Sequence, residues 1–240
     1  MEVYQYIQQR LSQGKKCFAV LIDPEKTSGQ SLVSVVKTID KARPQLILVG
    51  GSGWQQSLDD AVQTIRRLTD IPVVLFPGNA SQFSSHADAM LFLSLISGRN
   101  PEFLIGQQVA AAATIKQSGL ETIPTGYILV DGGVRTAVEK VSGTTPLADT
   151  ESIVNTAIAG EMMGQRLIYL EAGSGALRPV APEVISAVRR QISIPLIVGG
   201  GLVNLEMVQR ALDAGADLIV IGNHFEHHPD DIIPFSALFS

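Results

Sequence analysis

Cysteine is almost missing from the 240-residue sequence: Cys17 stands alone. That excludes an intramolecular disulfide and any CxxC metal knuckle. Long hydrophobic runs are missing too, since no apolar stretch approaches the roughly 18 residues needed to cross a bilayer. There is no basic stripe either. A net charge of −5 and a pI near 5.4 leave nothing to neutralise a phosphate backbone, so no nucleic-acid partner is expected. No linker, low-complexity tract or charge block divides the chain. The opening MEVYQYIQQRLSQGKK lacks the apolar core of a signal peptide and reads as a short amphipathic helix. Together these absences describe a soluble cytoplasmic protein with at most peripheral membrane contact.

What is present is 45% hydrophobic content, enough for one large core and for a single barrel domain over residues 1–240. Apolar runs bounded by turn signals recur with amphipathic segments between them, the pattern of βα units in a parallel sheet. Strands are expected near Phe18–Ile22, Leu46–Val49, Val73–Phe76, Ala89–Leu93, Tyr127–Val130, Leu167–Leu170, Leu196–Val198 and Leu218–Ile221. Eight strands of this kind predict an α/β fold closed as a (β/α)8 (TIM) barrel. Helices are expected over Ser28–Ala42, Trp54–Leu68, Glu102–Gln117, Asp149–Met163, Pro182–Gln191 and Asn204–Ala214. Between strands three and four, Pro77–Asp88 (PGNASQFSSHAD) is too short and too rich in turn formers for a crossover helix. The barrel therefore lacks one outer helix. The gap suits a long apolar ligand, unless a loop or short turn plugs it.

Three consecutive strand ends open into small-residue turns: Tyr169–Gly175 (YLEAGSG), Gly199-Gly200-Gly201 and Gly222-Asn223. Glycine lets backbone N–H groups approach and face an anion, and the loops after the last barrel strands are a common phosphate site. Glycine-rich turns also arise from packing alone, but three in succession point to phosphate. Tyr169 and Glu171 are two apart on strand six and share a side. Glu171 suits a hydroxyl proton acceptor, because a buried carboxylate without such a partner is costly. Tyr169 suits a phosphate donor or the core.

Asp23, in LIDPEK just past the first strand, is a hard oxygen ligand suited to Mg²⁺, although Asp-Pro is also an ordinary turn. Ser52, in VGGS on the neighbouring turn, offers a hydroxyl to the same ion. Lys26, Arg99 and Arg135 lie in loops that suit either a diphosphate or exposed salt bridges. His224 and His228 have metal-ligand spacing, but no third ligand is specified, and with His227 they read as solvated surface.

The segments FAVLIDPEK, LILVGGS, LISGRNPEFLIG, YILVDGG, YLEAGSG, PLIVGGGL and GADLIVIGN resemble the geranylgeranylglyceryl phosphate synthase family from about Phe18 to Asn223. The resemblance implies a modified TIM barrel without its third helix. It also implies Mg²⁺-dependent transfer of a polyprenyl group, most simply geranylgeranyl, from its diphosphate to the 3-hydroxyl of sn-glycerol 1-phosphate. In the family's pattern the magnesium site falls on Asp23 and Ser52. The glycerol phosphate site falls on Tyr169, Leu170, Glu171, Ala172, Gly173, Ser174, Gly175, Gly200, Gly201, Gly222 and Asn223. Many relatives carry threonine where this chain has Ser52, and Gram-positive relatives place a basic residue where it has Leu21. Family members assemble as dimers or hexamers. The alternatives are a heptaprenylglyceryl phosphate synthase, a phosphosugar isomerase or lyase, and a non-catalytic binder of phosphorylated metabolites.

Overall fold

The computed structural model of the protein describes residues 1–51 and 56–239. Eight strands close into a barrel in sequence order: β1 (Cys17–Ile22), β2 (Leu46–Val49), β3 (Val73–Leu75), β4 (Ala89–Leu95), β5 (Glu121–Leu129), β6 (Leu167–Glu171), β7 (Leu196–Gly199) and β8 (Leu218–Ile221). Neighbouring strands run parallel wherever their register is defined, for instance Leu21 opposite Leu48 and Leu170 opposite Val198. Because a parallel sheet is covered on both faces, its strands are continuous apolar runs, not alternating ones. β2 (LILV) and β8 (LIVI) are buried at every position.

The described helices are α1 (Val3–Ser12), α2 (Gly29–Ala42), α3 (Asp59–Leu68), α4 (Gln107–Ser118), α5 (Ala137–Ser142), α6 (Thr150–Met162), α7 (Pro182–Arg189), α8 (Leu205–Asp213), α9 (Asn223–His227) and α10 (Ile232–Ala237). α2 turns Leu32, Val36 and Ile39 inward, as its spacing predicts. Local chemistry fixes the starts of α6 and α8. Asp149 accepts from Ser152 N at 2.7 Å and Asn204 from Met207 N at 2.8 Å, each satisfying a donor the helix cannot. No helix occupies 76–88, so the expected omission stands. The segment is not empty, however, because Gln82 and Ser84 are buried within it.

Several boundaries differ from the sequence reading. Cys17 does not precede the first strand but opens it, buried. β5 begins at Glu121, six residues before Tyr127, because Pro124 lies ahead of the β6 register that starts at Thr125 and still offers its carbonyl to Arg166 N at 2.8 Å. The Glu102–Gln117 helix opens with a π-helical turn over Glu102–Gly106. Between the expected fifth strand and the helix expected from Asp149, where no element is assigned, α5 forms on a Thr136 N-cap. The start of the helix expected over Trp54–Leu68 lies outside the described residues.

The chain forms two compact units. One comprises Met1–Leu91, Gln108–Ile123 and Ile221–Ser240. In it the Phe18 ring stacks on Phe239 at 5.2 Å, and Arg10 ties down the chain end through the Phe239 carbonyl at 2.7 Å. The other comprises Phe92–Gln107 and Pro124–Val220. At the N-terminal end of its strands, Asp217 accepts from Leu196 N at 3.0 Å and from Arg189 Nη1 at 2.7 Å, fixing β8 against β7.

Candidate active site

In the second unit, β6 delivers Tyr169 and Glu171 in alternate positions, while Leu170 and Ala172 between and after them are buried in the core. Glu171 is 7% exposed, and burial pushes its carboxyl up to about 6. Two influences partly offset that cost: Gly173 N donates to Oε1 at 2.6 Å, and the Tyr169 hydroxyl beside it also favours the ionised form. A carboxylate so placed is a proton acceptor near neutral pH.

Gly200, at the end of β7, is glycine for two independent reasons. Its φ of +82° disfavours other residues, and a Cβ there would lie 2.4 Å from Glu171 Oε1. The turn thus passes flat against the carboxylate. Gly173, Gly175 and Gly201 also take positive φ, and Ser174 and Gly175 are exposed. Strand-end backbone and the Glu171 carboxylate therefore share a rim, as a small phosphorylated hydroxyl compound requires.

Sequence reasoning misses Tyr127. It stands opposite Tyr169 in the β5–β6 register, with ring centroids 5.3 Å apart. Its hydroxyl is held well above the usual tyrosine range, chiefly by burial and then by the negative charge of Glu171. No local motif marks it, because only strand pairing brings it to Glu171.

In the first unit, Asp23 follows β1, and burial raises its carboxyl above the ordinary value. Its Oδ1 accepts from Glu25 N at 3.1 Å, and Lys26 Nζ lies 3.8 Å from Oδ2. Lys26 also reaches Asn223 Oδ1 and Glu226 Oε1, both at 3.4 Å. Gly51 leaves room for this carboxylate: a Cβ there would lie 2.7 Å from Asp23 Oδ1. A single hard carboxylate that already draws an ammonium group fits a divalent ion that takes one or two protein oxygens. Among the described residues no three His, Cys, Asp or Glu side chains cluster as ligands. Ser52 lies outside the described residues. Gly222 packs against Leu21, and Asn223 opens α9 beside Lys26.

The remaining candidates are placed as follows. Arg99 bonds the Ile96 and Gly98 carbonyls at 3.2 and 2.7 Å, and Arg135 lies 3.6 Å from Glu139 on the surface. His227 and His228 are exposed, but His224 is not the solvated residue expected. It bonds Asp231 at 2.7 Å and packs beside Phe225 and Phe235, the aromatic residues that draw the segment inward.

The family model described as the PcrB family matches residues 9–236. Geranylgeranylglyceryl phosphate synthase of Spirosoma linguale is 49% identical over 220 residues, 90% of this chain and 88% of that protein. The synthase of Pyrococcus abyssi is 40% identical over 227 residues, 94% of this chain and 90% of that protein. The crystal structure of (S)-3-O-geranylgeranylglyceryl phosphate synthase from Thermoplasma acidophilum, in complex with its substrate sn-glycerol-1-phosphate, superposes with a TM-score of 0.93 at 32% identity, covering 100% of this chain and 98% of that one.

Proposed function

The chain belongs to the PcrB family, and from that premise we infer that it is a geranylgeranylglyceryl phosphate synthase, joining a geranylgeranyl group to the C3 hydroxyl of sn-glycerol 1-phosphate. The observation that carries this reading is the buried Glu171 carboxylate, lifted to about 6 and set against the glycine turn at the end of β7.

The bond that forms joins the glycerol C3 oxygen to the allylic carbon; the bond that breaks is the allylic C–O bond, and diphosphate leaves with its electron pair. Backbone N–H groups of Gly173–Gly175 and of Gly200-Gly201 hold the phosphate. Their contribution is positioning, since a fixed hydroxyl beside the carbon replaces a chance encounter. Glu171 takes the hydroxyl proton. Tyr169, two residues before Glu171 on β6, favours its ionised form. Asp23, with Ser52, would hold Mg²⁺, which when bound neutralises charge on the departing diphosphate. Lys26, already at Asp23, adds a cation on that side. Assembly as a dimer or hexamer belongs to the same proposal, and sedimentation velocity reads it.

The test is transfer of label from glycerol 1-phosphate into butanol in the presence of Mg²⁺ and prenyl diphosphates of several lengths. Label is expected in the organic phase with geranylgeranyl diphosphate, and Asp23→Asn and Glu171→Gln are each expected to lower turnover at least about 100-fold. No transfer with any length, or near-native turnover in both variants, contradicts the assignment.

A further inference from the structure

Gln82 lies in the one β-to-β connection that has no helix, and it is fully buried. Its side chain grips the turn after β2 from both sides. Gly51 N donates to its Oε1 at 3.3 Å, and its Nε2 donates to the Gly51 carbonyl at 2.6 Å. The same Oε1 accepts from Gly78 N at 3.1 Å.

The reason a side chain is needed there lies in the strands. The β2–β3 ladder runs to Val49 opposite Leu75 and closes with Phe76 N donating to the Val49 carbonyl at 2.8 Å. At Gly50 the chain turns off with φ +153°, so close to β3 that a Cβ would lie 2.0 Å from the Phe76 carbonyl oxygen. Beyond that point no strand backbone among the described residues pairs with Gly51. The Gln82 amide, one donor and one acceptor in a plane, takes the place of the next residue of the ladder. What it holds is the glycine over which the Asp23 carboxylate rests.

We propose that Gln82 is a positioning residue for the cation site: by clamping both backbone groups of Gly51, it sets the β2 turn against the Asp23 carboxylate. This rests on the reading of Asp23 as a magnesium ligand. Groups that orient first ligands typically change metal affinity by about 10–100-fold when removed. The crossover helix that other barrel units carry is thus replaced here by a loop with a defined task.

The test uses Gln82→Met, which keeps the volume and removes the amide, and Gln82→Glu, which keeps the acceptor for Gly51 N and Gly78 N. In the metal-free and substrate-free protein, amide exchange at Gly51 and Gly78 is expected to quicken about tenfold or more in Gln82→Met, with β6 amides unchanged, and to be largely restored in Gln82→Glu. In the transfer reaction, the Mg²⁺ concentration for half-maximal turnover of Gln82→Met is expected to rise about tenfold or more, while KM for glycerol 1-phosphate stays within about twofold. Unchanged exchange overturns the inference. So does quicker exchange with an unchanged Mg²⁺ requirement, which would leave Gln82 a purely structural residue. A wild-type protein indifferent to Mg²⁺ overturns the Asp23 reading and this inference together, and is seen before any variant is made.

Discussion

Glu171 concentrates the conflict between stability and chemistry in one side chain. Its folded value of about 6 lies above the ordinary 4.5, so the fold prefers the protonated acid. The contribution of Glu171 to stability is therefore greatest below about pH 4.5 and falls as pH rises through 6, by about 2 kcal/mol once the carboxylate must stay ionised. Glu171→Gln cannot ionise and keeps an acceptor for Gly173 N. Its melting temperature should match wild type at pH 4 and exceed it at pH 8, by roughly 4–8 °C at most. A variant that melts at or below wild type at pH 8 would mean the carboxylate is not costly there. Glu171 was legible in the sequence because a lone acid ending a buried strand has few structural uses. Tyr127 was not, since its place beside Tyr169 comes from register between strands 42 residues apart in their paired tyrosines (Tyr127 and Tyr169).

Among the elements, every strand but β5, which carries Pro124 and Gly126, was read to within two residues at each end. β2 and β8 match their expected limits, whereas β5 was cut short at its proline. α5 was missed although Thr136 and Glu139 stand three apart, the spacing of a capping box, and Glu139 N does donate to the Thr136 hydroxyl at 3.1 Å. The signal was there, but six residues are too few for helical periodicity to show. At the opposite ends of the strands, Asp217 joins β7, β8 and α7 without any role in the chemistry proposed. Asp217→Ala leaves Leu196 N–H and Arg189 without this acceptor, and should cost about 3 kcal/mol in chemical denaturation. KM for glycerol 1-phosphate should stay unchanged in the folded fraction. A changed KM at full stability would show that this end of the strands reaches the site.

For the whole molecule, the barrel was legible because eight buried strands with helices between most of them admit few other closures. The missing crossover was legible from composition, while Gln82 inside it was not, since nothing in PGNASQFSSHAD says which residue turns inward. No helix among the described residues is long and apolar enough to cross a membrane. In the function proposed, the β6 and β7 rims hold glycerol 1-phosphate with its C3 hydroxyl at Glu171. A crystal structure of the protein with glycerol 1-phosphate tests it most directly. The expected result is the phosphate against the backbone amides of Gly173–Gly175 and Gly200-Gly201, with the C3 oxygen within hydrogen-bond reach of the Glu171 carboxylate. Glycerol 1-phosphate bound elsewhere, or bound with C3 turned away from Glu171, would contradict it.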